Sequence, residues 1–286
     1  MTSSESTHKQ STHSQLAQLR ALVQGMGSVL VCFSGGIDSA LVLAIAHQEL
    51  GATHAIALTA VSPSLPQRER EGAAAFARSI GANHQFVESQ EIHRPDYAKN
   101  APDRCFHCKS ELYEIAHTKA AEWGLATIVN GTNRDDLGDY RPGLQAAQLA
   151  KVRSPLCEAG LTKRDVRAIA QLLDLAIWDK PAAACLASRI PYGVSVTPAR
   201  LQQVETLEAT LQTLGFAQVR VRYHEEVARI EVPRADLARL VSPEVSEQVE
   251  QAGRKAGFRY VTVDLQGYRT GSLNEGLPHR ALPVLS

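Results

Sequence analysis

Residues 28–39 read Ser-Val-Leu-Val-Cys-Phe-Ser-Gly-Gly-Ile-Asp-Ser, and this stretch decides the fold. Residues 28–33 form an apolar run of strand length. Ser34, Gly35 and Gly36 then break it, and an apolar helical pattern follows over 39–50. Gly35 and Gly36 let the backbone turn so that successive N–H groups point at one anion. The hydroxyls of Ser34 and Ser39 add donors, and the next helix presents its positive end. Asp38 is the natural anchor for a magnesium ion carried by nucleotide phosphates. No Lys followed by Ser or Thr closes the loop, so this is not a Walker A sequence.

Working outward, apolar runs alternate with helical patterns. Residues 55–61 predict a second strand, 67–80 a helix closed by Gly81, and 84–88 a third strand. Residues 105–123 predict a long helix closed by Gly124, and 126–130 a further strand. This rhythm implies an α/β fold, a parallel sheet with helices on both faces, with ligands at the carboxyl ends of the strands. A further unit starts with a strand-like run over 151–156 and continues as a helix over 162–173, with Thr162 as N-cap. The texture changes after Pro181. Thr197 and Pro198 open a helix to about Leu214, followed by strands over 218–223 and 228–232, two helical stretches, and a strand over 260–265. The chain is therefore read as a Ser/Thr/His-rich disordered tail over 1–14, an α/β domain over 15–195 that carries the phosphate loop, and a smaller C-terminal α+β domain over 196–286.

The bulk numbers exclude several classes. Thirty basic and thirty acidic residues cancel, which argues against nucleic acid as the main partner. No apolar run approaches the roughly 20 residues that span a bilayer. Five cysteines in 286 residues, without dense pairing, suggest a reducing cytoplasm.

Cys105 and Cys108 stand three apart at a predicted helix start, with both sulfurs on one face and Arg104 and Lys109 beside them favouring thiolate. Cys185 follows far along the chain in the small-residue run Lys180-Pro181-Ala182-Ala183-Ala184-Cys185. Three such thiolates fit a four-iron cluster with one open iron. A redox pair, part of a zinc site and free thiols are the alternatives. Cys32 reads as core and Cys157 as structural. Arg189, Arg222 and Arg269 are the candidate donors to an anionic substrate, with a solvent-facing strand as the alternative for Arg220 and Arg222. Arg141 is a further candidate for nucleotide phosphates. One of Asp135, Asp136 and Asp139 reads as a helix cap, and Glu231 and Asp236 as a solvated face.

SGGIDS resembles the signature of the PP-loop ATP pyrophosphatases, whose fold is a Rossmann-like, adenine nucleotide alpha hydrolase-like parallel sheet. That resemblance implies that Ser34, Gly35, Gly36, Asp38 and Ser39 hold the pyrophosphate portion of ATP with Mg2+. It places Thr59, Gly131, Thr132 and Asn133 near the adenosine, and their strand-end positions agree. PDRCFHCKSELY, GTNRDDLGDYRPG, SPLCEAGLTKRDVR, ACLASRIPYG and VTVDLQGYRTGSLNEG extend the likeness from residue 34 to residue 276. Together they resemble the LarE-type ATP-dependent sulfur transferases of nickel-pincer nucleotide synthesis, which make the lactate racemase cofactor. The resemblance implies adenylation of a carboxylate of a pyridinium-3,5-dicarboxylate mononucleotide, AMP release and thiocarboxylate formation. It also implies two sulfur sources: a [4Fe-4S] cluster on Cys105, Cys108 and Cys185, or sacrifice of Cys185 itself. All three cysteines are present, which favours the cluster. The family tends to form hexamers, so a homo-oligomer is expected.

Three alternatives stand beside this. A PP-loop tRNA thiolase also carries such cysteines but calls for a basic surface. An amidotransferase-like synthetase leaves the cysteines without a task. A nucleotide-binding sensor performs no turnover.

Overall fold

The computed structural model describes residues 3–138, 142–181, 183–269 and 271–274. In chain order the main elements are α1 (Ser3–Gln24), β1 (Val29–Cys32), α2 (Ile37–Leu50), β2 (Ala55–Val61), α3 (Gln67–Ser79), β3 (Asn83–Glu88), α4 (Pro95–Ala98) and α5 (Arg104–Trp123). Then come β4 (Thr127–Val129), α6 (Pro142–Leu149), α7 (Pro155–Glu158), α8 (Lys163–Leu172), α9 (Pro198–Thr213), β5 (Arg220–His224), β6 (Val227–Glu231), α10 (Leu237–Leu240), α11 (Pro243–Lys255) and β7 (Tyr260–Val263). They fall into two compact units. One is Met1–Ser62, Gln67–Glu91 and Cys105–Ala183; the other is Pro63–Pro66, Ile92–Arg104 and Ala184–Ser286.

The first unit is built on a parallel sheet of order β3-β2-β1-β4. Successive residues of a strand face opposite sides, and both sides are covered here. Val29, Val31, Ala55 and Ala57 join one core with α1, α2 and α8, while Leu30, Cys32, Ile56 and Leu58 join another with Tyr113, Ala116 and Ala120 of α5. A strand buried on both faces has no polar positions, which is why these segments read as apolar runs. Helix α2 is buried without a break from Ser39 to Ala46. The chain steps outward from β1 through β2 to β3, then returns to the other side of β1 as β4. That reversal opens a crevice at the carboxyl ends of β1 and β4, where α/β sheets place their ligands.

Two segments differ from the expectations above. Helix α1 starts at Ser3, within the stretch set aside as a tail. Thr12, Leu16, Leu19 and Val23 recur at three- and four-residue spacing and are all buried, so the core-facing stripe reaches one turn into the polar segment through a threonine. Residues 151–156 form no strand. Arg153 makes a single parallel bridge to Val129, and Pro155, which has no N–H to give a ladder, starts α7 instead.

The second unit has a three-stranded sheet of order β5-β6-β7, antiparallel between β5 and β6 and parallel between β6 and β7. Thr197 caps α9 by accepting from Arg200 N at 3.3 Å. This is the smaller C-terminal sheet that the strand alternations predicted. No helix among the described residues is long and apolar enough to cross a membrane.

Leu19 is fully buried against the first core. Leu19→Ala is expected to cost about 2–5 kcal/mol of unfolding free energy in a urea titration. A loss below about 0.5 kcal/mol, the range of ordinary surface changes, would show that α1 contributes no packing.

Candidate functional site

The loop after β1 holds itself open by its own hydroxyls. Ser34 Oγ and Ser39 Oγ lie 3.0 Å apart, Ser34 N donates to Ser39 Oγ at 3.2 Å, and Ser39 Oγ donates to Gly36 O at 3.1 Å. Gly35 has φ +74°, and a Cβ there would sit 3.1 Å from that of Ala73. A side chain would therefore be both strained and crowded. Gly36 heads α2 without any side-chain cap, so the first N–H groups of that helix are offered to the crevice rather than to a neighbouring side chain.

The turn after β4 comes up against this loop. A Cβ on Gly131 would lie 2.5 Å from Ser39 N, 2.8 Å from Ser39 Cα and 2.9 Å from the carbonyl carbon of Asp38. Only glycine lets the two backbones pass at that distance. Asn133 is thereby carried to Asp38, and its Nδ2 donates to Asp38 Oδ1 at 3.1 Å. Thr132 N donates to Asn130 Oδ1 at 3.0 Å, which shapes the turn between them.

Two lysines that motif reading passed over complete the site. Lys163 Nζ pairs with Asp38 Oδ2. Lys163 is the first residue of α8, set there by a capping box between Thr162 and Asp165 and by its own N–H donating to Asp135 Oδ2 at 2.8 Å. Lys180 Nζ donates to Gly35 O at 2.9 Å and to Glu69 Oε2 at 2.7 Å, tying the glycine turn to α3. The signal lay in SPLCEAGLTKRDVR and in the run before Cys185, but only the tertiary fold shows that both ammonium groups reach the loop. Asp135 accepts that first N–H of α8, but the N-cap of the helix is Thr162. Asp136 accepts from Asn133 N at 3.0 Å. Asp139 and Arg141 lie outside the described residues.

Thr59 sits at the carboxyl end of β2, yet its side chain turns inward. Oγ1 donates to Phe33 O at 2.6 Å and lies 2.8 Å from His84 Nε2. With the hydroxyl proton on Phe33 O, the His84 tautomer that fits donates from Nε2 to Thr59. Burial lowers the His84 pKa and keeps the ring neutral.

Cys105 and Cys108 occupy the first turn of α5, Cys105 exposed and Cys108 partly so. Burial alone would lower the pKa of Lys109, but Tyr113, Cys108, Cys32 and Cys105 raise it on balance, so a stable ammonium faces these sulfurs. Cys32, as expected, is core: burial pushes its thiol up to about 12. Cys157 lies in α7 rather than after a strand, and burial raises its pKa as well.

In the second unit, Cys185 is exposed and heads the short turn Leu186–Arg189. Arg189, expected on the substrate, is only 2% exposed. Its Nε and Nη2 pair with Glu208 at 2.9 Å each, and Nη1 donates to Ala184 O and Cys185 O at 2.7 and 2.9 Å. Arg222 is also buried, with Glu231 at 2.8 Å, Ser272 Oγ at 2.8 Å and Ser188 O at 2.9 Å. Glu231 is fully buried between Arg222 and Arg229, not solvated. Arg104, expected beside the thiols, instead donates to Asn100 Oδ1 and Ala187 O. Arg269 is partly exposed and reaches Gly267 O at 3.4 Å. Arg220 lies over the Tyr268 ring, its pKa lowered by burial and then by Arg189. Within neither unit do three described His, Cys, Asp or Glu side chains group for a metal ion.

Sequence comparison adds relatives. The asparagine synthase family, a PP-loop family, matches residues 17–110. The pyridinium-3,5-bisthiocarboxylic acid mononucleotide synthase of Lactiplantibacillus plantarum is 39% identical over 270 residues, 94% of this chain and 97% of that protein. An uncharacterised protein of Synechocystis is 44% identical over 92% of this chain and 98% of its own length. An uncharacterised protein of Methanocaldococcus jannaschii is 28% identical over 85% of this chain and 91% of its own length.

Two expectations follow from the geometry. Gly131→Ala should weaken the fold by about 1–3 kcal/mol, because the clash is with backbone, and nucleotide affinity should fall with it; wild-type melting and nucleotide binding would refute the close approach. With iodoacetamide on the native protein, peptide mass spectrometry should find Cys105 and Cys185 labelled first, Cys157 slowly, and Cys32 only after unfolding. Early labelling of Cys32 would contradict its burial.

Proposed function

We propose a function from one premise: this chain belongs to the family of pyridinium-3,5-bisthiocarboxylic acid mononucleotide synthases, the LarE-type sulfur transferases of the PP-loop superfamily. It adenylates a carboxylate of a pyridinium-3,5-dicarboxylate mononucleotide with ATP, releases pyrophosphate, and replaces the AMP by sulfur to give a thiocarboxylate. The adenylation half is carried by one observation: Asp38, Asn133 and Lys163 meet at the glycine loop, with both Asp38 oxygens already held. In this reading Ser34, Gly35, Gly36 and Ser39 hold the pyrophosphate portion of ATP, Asp38 takes Mg2+, and Lys163 neutralises phosphate charge. The backbone of Gly131, Thr132 and Asn133 borders the adenosine. Thr59 braces the residue before the phosphate loop through Phe33 O.

A carboxylate is a poor electrophile, and joining it to AMP supplies a leaving group. The substrate anion is met by the partly exposed Arg269 and by Arg220, which lies over the Tyr268 ring. For the sulfur, the thiols of Cys105, Cys108 and Cys185 match the donor chemistry of a [4Fe-4S] cluster, and all three are at least partly exposed. When bound, such a cluster supplies an iron with an open position for exogenous sulfide. The sacrificial route needs Cys185 alone. Its Sγ attacks the adenylated carbonyl carbon, AMP leaves and the thiol proton is lost. Removal of the Cys185 Cα proton then breaks Cβ–Sγ, giving dehydroalanine and the thiocarboxylate.

The test supplies ATP, Mg2+ and the dicarboxylate nucleotide under anaerobic conditions after iron and sulfide reconstitution. Pyrophosphate, AMP and thiocarboxylate are the expected products. Asp38→Asn should slow pyrophosphate release by about 100-fold or more, and Cys185→Ser should abolish thiocarboxylate while pyrophosphate release persists. Cluster absorbance lost in Cys105→Ala supports the cluster; loss of the elements of hydrogen sulfide from Cys185 supports sacrifice. A wild-type protein that releases no pyrophosphate with this substrate would refute the assignment.

A further inference from the structure

The turn that carries Cys185 is gripped by its own carbonyl groups. Arg189 Nη1 donates to Ala184 O at 2.7 Å and to Cys185 O at 2.9 Å. Arg104 Nη1 donates to Ala187 O at 2.9 Å, and Arg222 Nη1 to Ser188 O at 2.9 Å. Each of these arginines is itself buried and anchored. Glu208 holds Arg189 by two bonds, and Glu231 with Ser272 holds Arg222. Asn100 holds Arg104, and its Nδ2 also donates to Pro191 O and Val194 O at 2.8 Å, beyond the turn. One amide completes the fixing, with Leu186 N donating to Ser64 O at 2.9 Å.

Such an arrangement is unlike a substrate site. A guanidinium that receives a phosphate keeps its fork of N–H groups aimed at open space. Here the Nε and both Nη atoms of Arg189 donate within the protein, and Arg222 turns both Nη atoms inward. Leu186, Ala187 and Ile190 bury one side of the turn, but Cys185 itself is exposed and a single short helical turn has few bonds of its own. Charge-assisted bonds to four carbonyls add to that packing and fix the backbone on either side of Cys185.

We propose that Arg104, Arg189 and Arg222 are positioning residues that clamp the Cys185 turn, holding Sγ exposed in one place as either sulfur route requires. The inference rests on Cys185 as the sulfur-handling residue. It assigns Arg189 and Arg222 to the turn rather than to the substrate phosphate. It also gives Arg104, next to Cys105 in sequence, a task separate from tuning thiols.

The test uses the full-length protein and Arg104→Lys, with Arg222→Lys as a second variant. Hydrogen–deuterium exchange of the peptide spanning 184–190 is expected to be slow in the wild type and about tenfold or more faster in either variant. In Arg104→Lys, the KM for the dicarboxylate nucleotide should stay within about twofold while thiocarboxylate turnover falls by about 100-fold, the scale of a small misplacement. A KM raised by about tenfold with turnover retained would overturn the proposal in favour of substrate binding. So would exchange over 184–190 that is unchanged in the variants, or that is already fast in the wild type, a readout that survives if a variant does not fold. If the wild type makes no thiocarboxylate at all, the sulfur-transfer assignment fails, while the exchange measurement still decides whether the clamp exists.

Discussion

The closest constraint in the first unit is the passage of one backbone over another. The turn after β4 crosses the first turn of α2 with no room for a single carbon on Gly131. Strand order makes that crossing unavoidable. The chain leaves β1 in one direction and returns on its other side, so the two loops must meet where the order reverses. Everything polar at the site is hung from this crossing. Asn133 follows two residues later and meets Asp38; Asp135 follows two after that and receives the first N–H of α8. The helix then delivers Lys163 back to Asp38.

This route supplies the proposed phosphate loop with cations although it has no lysine of its own. In a Walker loop the cation is encoded next to the glycines. Here it arrives through tertiary structure, from residues 163 and 180. The two lysines differ in kind. Lys180 binds a loop carbonyl and a glutamate, so it belongs to the scaffold of the turn. Among the described residues Lys163 binds only a partly exposed carboxylate, an interaction worth about 1 kcal/mol or less at such exposure.

Sequence made the strands and the loop plain because both are local. A strand covered on two faces must be apolar throughout, and β2 begins and ends at the residues the apolar run predicted. The residues 151–156 misled because an apolar stretch looks the same whether or not a proline removes its hydrogen bonding. The polar start of α1 misled because a threonine stood in the buried stripe. The arginines' partners were illegible for a deeper reason. Sequence shows a charge but not its counterion, and Glu208, 19 residues after Arg189, was invisible as its partner. A buried pair and a substrate-binding cation share one letter code.

The Asp38 carboxylate has an ammonium on one oxygen and an amide on the other. If Asp38 takes magnesium as proposed above, a bare ion competes with Lys163 for the carboxylate and offers that ammonium no other anion. Magnesium arriving on a triphosphate brings the replacement anion with it. On that proposal the occupied carboxylate would act as a coincidence detector, in which metal and nucleotide each strengthen the hold on the other.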